Sequence, residues 1–401
     1  MATTTRVPVY ERLGVRALIN ARSFSTKAGG CALPAEVLEA MCEAGQRCVR
    51  MDELQAAASE VIARVTGAEA GIVTSGAAAG LTLGAAACLA RLDVARMNRL
   101  PDTAGMPDQF IVHRTHRNDY DHAVRAAGAK FVEVGYAYYT FSYEIDSAIS
   151  AQTAALYYQA GVSEGVIPLD EYAAIAHRHG LPVLVDAAAE MPPGSNLKSF
   201  IAAGADLVAF SGGKHIQGPQ ATGILCGRRD LILSAALQHQ DMDVFPETWP
   251  LRSLIENKTL TGAPHHGIGR GFKVGKEEIA GLVTALEMYE RRDFAAERAR
   301  WTADMGVIAA GVRGIPGVSA RLQYPQANGR EVPSAIVKID AAVAGTDAHA
   351  VINALQEGEP PVCVFEKLAS TGEIVFFPEA LRSGEAEIIA RLLRETLEAA
   401  T

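Results

Sequence analysis

Between residues 50 and 240 the chain repeats one pattern, a short, mainly apolar run followed in most cases by a stretch with helical spacing. The runs are AGIVT at 70–74, QFIVH at 109–113, KFVEV at 130–134, AALYY at 154–158, PVLVD at 182–186, DLVAF at 206–210 and TGILC at 222–226. A short run that is apolar on both sides suits a strand covered on both faces, as in a largely parallel sheet. Parallel neighbours need long crossovers, and stretches such as LDEYAAIAHRHG at 169–180 and SNLKSFIAA at 195–203 supply them. The pattern predicts an α/β fold, a mostly parallel seven-stranded sheet with helices on both faces.

Past residue 265 the character changes. Residues 275–313 read as one or two long helices with a charged side. Candidate strands follow at 332–339 and 372–377, with helices at 346–357 and 384–398. That mixture predicts a smaller C-terminal α+β domain. The expected division is a 1–50 N-terminal segment, a 51–265 large cofactor-binding domain, and a 266–401 C-terminal small domain with a long linking helix. A chain of 401 residues suits two or three domains at ~150 residues each.

Charge and cysteine content narrow the function classes. Asp and Glu number 46 against 37 Lys and Arg, a net charge of −9, which argues against a broad nucleic-acid footprint. The six cysteines form no CxxC pair and no dense cluster, as in a reducing compartment. The first residues, MATTTRVPVYERLG, lack the apolar core of a signal peptide. The longest apolar stretch, 76–89, falls short of the ~20 residues that a membrane helix needs. These features predict a cytoplasmic protein that engages neither nucleic acid nor membrane.

Chemistry concentrates in PVLVDAAAEMPPGSNLKSFIAAGADLVAFSGGKHIQGPQATGILCG at 182–227. One strand ends in Asp186 and the next in Ser211, with Gly212, Gly213 and Lys214 just beyond. Both polar groups emerge at carboxyl ends of neighbouring strands, where open α/β sheets bind ligands. A lysine in an apolar crevice loses its proton readily and serves as a Schiff-base nucleophile. An aspartate aimed at the same place suits a pyridinium nitrogen, keeping such a ring an electron sink. Upstream, Thr74, Ser75, Gly76, Ala77 and Ala78 follow a strand and open a helix, a setting for a phosphate. Strand, phosphate turn and helix, then Asp186, then Lys214, is the plan of a pyridoxal 5′-phosphate (PLP) site. His113, His116 and His122 lie near Asp119 and Asp121, but no helical i, i+4 histidine pair is present and no metal is expected.

Six segments together resemble one family: INARSFSTKAGG (19–30), LQAAASEVIARVTGAEAGIVTSGAAAG (54–80), HRNDYDHAVRAAGAKFVEVG (116–135), VDAAAEMPP (185–193), FSGGKHIQGPQATGILCGRRDLI (210–232) and GIGRGFKVGKEEIAGL (267–282). They resemble the fold-type-I PLP enzymes related to bacterial selenocysteine synthase, in particular the D-glucosaminate-6-phosphate ammonia-lyase branch. The resemblance implies that Lys214 carries the Schiff base and Asp186 meets the pyridine nitrogen. It places Ser75, Gly76, Ala77 and Ser211 at the phosphate and His116 at the ring, where an imidazole holds the ring and relays protons. It also marks departures. Arg22 and Lys27 stand where relatives read NASGT, and GRGFKVGK replaces GRPMKVGK, so Arg22, Lys27, Arg270 and Lys273 become candidate substrate-binding cations.

The implied activity is that of a PLP-dependent lyase acting on a 2-amino-3-hydroxy acid, such as an amino sugar acid. It would abstract the α-proton and eliminate at the β-carbon to a 2-oxo acid and ammonia. A PLP-dependent racemase, aldolase or β-substituting transferase is the alternative, and a non-catalytic PLP-fold binding protein stands behind both. The resemblance further implies a homodimer or higher homo-oligomer with active sites at its interfaces.

Overall fold

The structure, a computed structural model, describes residues 8–161, 164–240, 245–326 and 329–399. Residues 1–7 of the expected N-terminal segment lie outside the described residues. Its strands, in chain order, are β1 (Ile19–Ala21), β2 (Ala70–Thr74), β3 (Gln109–His113), β4 (Lys130–Val134), β5 (Thr153–Gln159), β6 (Val183–Asp186), β7 (Leu207–Ser211), β8 (Gly223–Gly227), β9 (Val318–Gln323), β10 (Ser334–Ile339), β11 (Val362–Val364) and β12 (Glu373–Phe376).

All seven apolar runs are strands of one sheet, in the order β2-β8-β7-β6-β5-β3-β4. Every neighbour is parallel except β8, which runs antiparallel to both β7 and β2. The chain steps outward from β3 to β4 and then returns to lay β5 on the other side of β3. That reversal opens a crevice at the carboxyl ends of β3 and β5. Register carries the same alignment inward, pairing Gln159 with Asp186 and Asp186 with Ala209.

Both faces are covered by helices, as the runs predict. Ala70 and Ile72 of β2 join Leu207, Ala209 and Leu225 in the core beneath the Ala77–Ala90 helix. Gly71, between them, faces the Met51–Thr66 helix, where a Cβ would lie 2.3 Å from Ile62. The Ala77–Ala90 helix is buried at every position from Ala79 to Ala90, as a helix apolar all round must be. Small residues let it approach the sheet closely. A Cβ on Gly84 would meet Leu184 at 2.9 Å.

The chain divides into two compact units, Leu33–Arg292 and a second made of the residues up to Ala32 with those from Asp293 onward. The expected boundary at 265/266 therefore moves. The Lys276–Glu290 helix packs on the Ala35–Gly45 and Met51–Thr66 helices, which keeps it in the larger unit. The expected 1–50 segment is split, because β1 finds its ladder partner in β11. The smaller unit holds a three-stranded antiparallel sheet, β12-β10-β9, on which the Phe294–Gly311, Ala348–Glu357 and Glu385–Glu398 helices bury Met305, Ile308, Ile352, Leu355, Ile389 and Leu393. Among the described residues, no helix is long and apolar enough to cross a membrane.

At Gly223 the return strand touches the start of the Ala77–Ala90 helix. A Cβ there would lie 2.3 Å from the Gly76 carbonyl carbon and 2.5 Å from the Ala77 nitrogen. Both are backbone atoms and have no rotamer to escape into. Gly223→Ala should lower stability by roughly 1–3 kcal/mol, read as a lower urea midpoint. Gly306→Ala, in a helix and with nothing within 4 Å of a Cβ, should instead raise it by about 0.5–1 kcal/mol.

Candidate active site

Asp186 closes β6 and is only 3% exposed. One carboxylate oxygen accepts the Ala188 N–H at 3.0 Å, and the other lies 3.4 Å from the Tyr157 hydroxyl. Burial raises its pKa above the ordinary carboxylate range, while the Ala188 N–H and the nearby charge of Lys214 pull it back down. Lys214 follows β7 and the glycines Gly212 and Gly213, half-buried. The strand-end carboxylate and the lysine therefore act on one another electrostatically, as their positions predict.

His116 lies past the end of β3, 1% exposed. Its Nδ1 accepts the backbone N–H of Gln159 at 3.2 Å, so the neutral ring carries its proton on Nε2. Gln159 ends β5 beside Asp186, and its side-chain amide donates to the Asp186 carbonyl at 3.4 Å. Asn118 donates to the Gln159 side-chain oxygen at 2.7 Å. His116 and Asp186 are thus tied through a single residue. Tyr157, Gln159 and Asn118 carry no signature in the sequence: a strand-interior tyrosine and a loop asparagine look ordinary until the register sets them beside Asp186.

The stretch expected to hold a phosphate, 74–78, joins β2 to the Ala77–Ala90 helix. Gly76 adopts φ +89 at the start of the Ala77–Ala90 helix, which has no side-chain cap, and such a start presents its first-turn amides. Ser75 is half-buried, and its hydroxyl donates to the Phe272 carbonyl at 2.8 Å. His239 reaches the same carbonyl through Nε2 at 3.0 Å. A carbonyl only accepts, so His239 carries its proton on Nε2. Burial lowers the His239 pKa, and the Arg270 charge lowers it further, against that hydrogen bond. Ser211 ends β7, half-buried. Arg270 lies in the Ile268–Phe272 turn, half-buried, while Lys273 just past it is exposed.

Arg22 and Lys27 belong to the smaller unit and converge on one carboxylate. Arg22 lies 3.1 Å and Lys27 3.2 Å from Glu366, which holds that carboxyl below its ordinary range, the Lys27 hydrogen bond most of all. Two cations against one anion leave a net positive charge there.

These residues fit a pyridoxal phosphate. Asp186 is a buried carboxylate raised by desolvation, to which a ring N–H with positive charge is the missing complement. The uncapped helix start with its left-handed glycine offers backbone donors for a phosphate. Lys214 supplies the amine.

Behind His116 sits His113, fully buried, with neither ring nitrogen hydrogen-bonded. Its ring packs 4.7 Å from those of His116 and Tyr172. Burial, and then the charge of His116, pushes its pKa down to about 3. The unfolded chain takes up a proton here near pH ~6.5 that the folded chain refuses, so stability is lost as pH falls below that value. The loss continues to about 3, where the folded ring also protonates. His113→Phe should remove it. The gap in urea midpoint between variant and wild type should widen from about pH 7 to about pH 4.5; parallel curves would refute the assignment.

The chain is similar to known proteins over nearly its whole length. A model of the SelA family, described as L-seryl-tRNA selenium transferase, matches residues 4–243. A 5′-C-glycyluridine monooxygenase-decarboxylase from Streptomyces sp is 33% identical over 97% of this chain and 92% of its own. A D-glucosaminate-6-phosphate ammonia lyase from Salmonella typhimurium is 31% identical over 97% of this chain and 98% of its own. A solved structure of D-glucosaminate-6-phosphate ammonia-lyase superposes with a TM-score of 0.82 at 30% identity, covering 99% of this chain and all of that one.

Proposed function

The chain belongs to the SelA (L-seryl-tRNA selenium transferase) family, and from that premise we propose that it is a PLP-dependent lyase of 2-amino-3-hydroxy acids. The single observation that carries this reading is the pairing of a buried, desolvated Asp186 with Lys214 at the carboxyl ends of adjacent strands. It is an enzyme with the fold and the pyridoxal phosphate cofactor of fold type I, and its likeness to the ammonia lyase extends over nearly the whole chain.

Bound there, the cofactor supplies an electron sink for the charge left when a proton departs from the substrate α-carbon. Asp186, whose charge Lys214 already favours, would hold a positive ring nitrogen. Lys214 would hold the cofactor through its amine, and its Nζ would take the α-proton. His116, fixed at Nδ1 by the Gln159 N–H, presents Nε2–H to hold the ring and pass protons. Ser75 spends its hydroxyl proton on Phe272, so the amides of Gly76 and Ala77, with Ser211, make up the phosphate cradle. Arg22, Lys27, Arg270 and Lys273 are the cations for the acid groups of the substrate.

Overall the substrate loses its β-hydroxyl as water and regains one water on releasing its nitrogen, so one 2-oxo acid and one ammonia form per substrate. Expulsion of the hydroxyl from the β-carbon separates this reading from racemase and aldolase chemistry, and release of the nitrogen as ammonia separates it from β-substituting transfer. A cytoplasmic homo-oligomer with interface active sites belongs to the same proposal.

Purified protein should show the absorbance of a protonated Schiff base with pyridoxal phosphate, and Lys214→Ala should lose it together with roughly 10²–10⁴-fold or more of the turnover. Across a panel of 2-amino-3-hydroxy acids, ammonia and 2-oxo acid should appear one for one. Deuterium exchange at Cα without ammonia would point to a racemase, aldehyde release to an aldolase, and carbon dioxide with oxygen uptake to the chemistry named for the glycyluridine relative. Wild-type protein that binds no pyridoxal phosphate would end the proposal.

A further inference from the structure

The loop that carries Lys214 is held from behind by two residues outside the site. Residues 212–218 close on themselves: Gly218 N–H donates to the Gly212 carbonyl, and Gln217 N–H to that of Lys214, each at 2.9 Å. Gln217 sits at φ +62, a left-handed conformation sparsely populated by residues with a Cβ. Such a turn persists only where its surroundings hold it.

Arg292 supplies the hold. One guanidinium nitrogen donates to the His215 carbonyl at 2.7 Å, and the other to the Gln217 side-chain oxygen at 3.0 Å. The guanidinium lies over the Tyr289 ring, 4.8 Å from its centroid. The Tyr289 hydroxyl meets His215 Nδ1 at 3.0 Å, and the two rings meet edge to face at 5.4 Å. Both residues flanking the bend are therefore gripped by one planar fork, and the imidazole beside Lys214 is committed to Tyr289. A guanidinium is the group for this task, because its two donors diverge in a fixed plane.

Arg292 is also the last residue of the larger unit. The next residue, Asp293, caps the Phe294–Gly311 helix of the smaller unit through its side chain. The chain thus leaves the larger unit at the very residue that grips the lysine loop.

We propose that Arg292, seconded by Tyr289, is a positioning residue for Lys214: by locking the 215–217 bend it fixes where the lysine Nζ stands relative to Asp186. This rests on the PLP reading for its kinetic consequence but not for its structural one.

The test compares Arg292→Met, Arg292→Lys and Tyr289→Phe in the full chain, by amide hydrogen exchange of the cofactor-free protein and by steady-state kinetics of the loaded enzyme. Arg292→Met should speed exchange over 212–218 by about tenfold or more while leaving β6 unchanged, and lower kcat by about tenfold with KM nearly constant. It should also shift the pH midpoint of the Schiff-base absorbance. Arg292→Lys, which keeps one donor, should recover part of each effect, and Tyr289→Phe should show a smaller version. Wild-type exchange and kcat in Arg292→Met would overturn the proposal. So would an Arg292→Lys no better than Arg292→Met, with thermal stability falling in step in both. If exchange responds as expected but no variant, wild type included, binds pyridoxal phosphate, the brace stands and the cofactor reading falls.

Discussion

A carboxylate buried at the end of a strand that is apolar on both faces is the constraint on which the site depends. Asp186 stands at the mouth of β6 with 3% of its surface exposed, and burial alone drives its pKa upward. An ionised group there needs positive charge brought to it. The protein supplies one cation, Lys214, and two hydrogen-bond donors, the Ala188 N–H and the Tyr157 hydroxyl. A cationic ring nitrogen completes the set. On the proposed reading, the unfavourable burial is what would favour a protonated pyridine over a neutral ring.

The second dependence is on small side chains. The Ala77–Ala90 helix lies on the sheet so closely that a Cβ at Gly84 or Gly223 would have to move Leu184 or the backbone at Gly76. That closeness sets the phosphate turn directly over the edge of β2 and β8. The turn is then pinned from a distant part of the chain, where the Phe272 carbonyl receives both Ser75 and His239. Dispersion and close packing place the helix; two hydrogen bonds to one carbonyl orient its first residues.

Much of this was legible in the sequence because strands buried on both faces announce themselves. Each of the seven runs became a strand within a residue or two of its expected ends, and Asp186 and Lys214 emerged where strand ends put them. What was not legible depends on contacts far apart in the chain. The larger unit runs on to Arg292 rather than 265 because the Lys276–Glu290 helix packs on Ala35–Gly45, and no local pattern records such a pairing. Ser75 read as a phosphate ligand, yet its hydroxyl partner lies 197 residues away. His113 looked like one of several histidines near two aspartates, and only the fold shows it sealed among Tyr158, Tyr172 and His116 with both nitrogens unpaired.

Relatives with nearly full-length alignments carry names for different reactions, an ammonia lyase and a monooxygenase-decarboxylase. In pyridoxal phosphate chemistry, which bond at the substrate α-carbon breaks depends on its alignment with the ring's π-system. On the proposed reading Asp186 and Lys214, with the Gly76 turn, hold the ring and are indifferent to that choice. In the smaller unit, the proposed substrate cations Arg22 and Lys27 share a single Glu366. One carboxylate shared by two cations cannot neutralise both, so a positive surplus is left for an anionic group, while Glu366 restrains where each cation points. Family membership therefore fixes the fold and the cofactor, while the reaction named differs from one relative to the next.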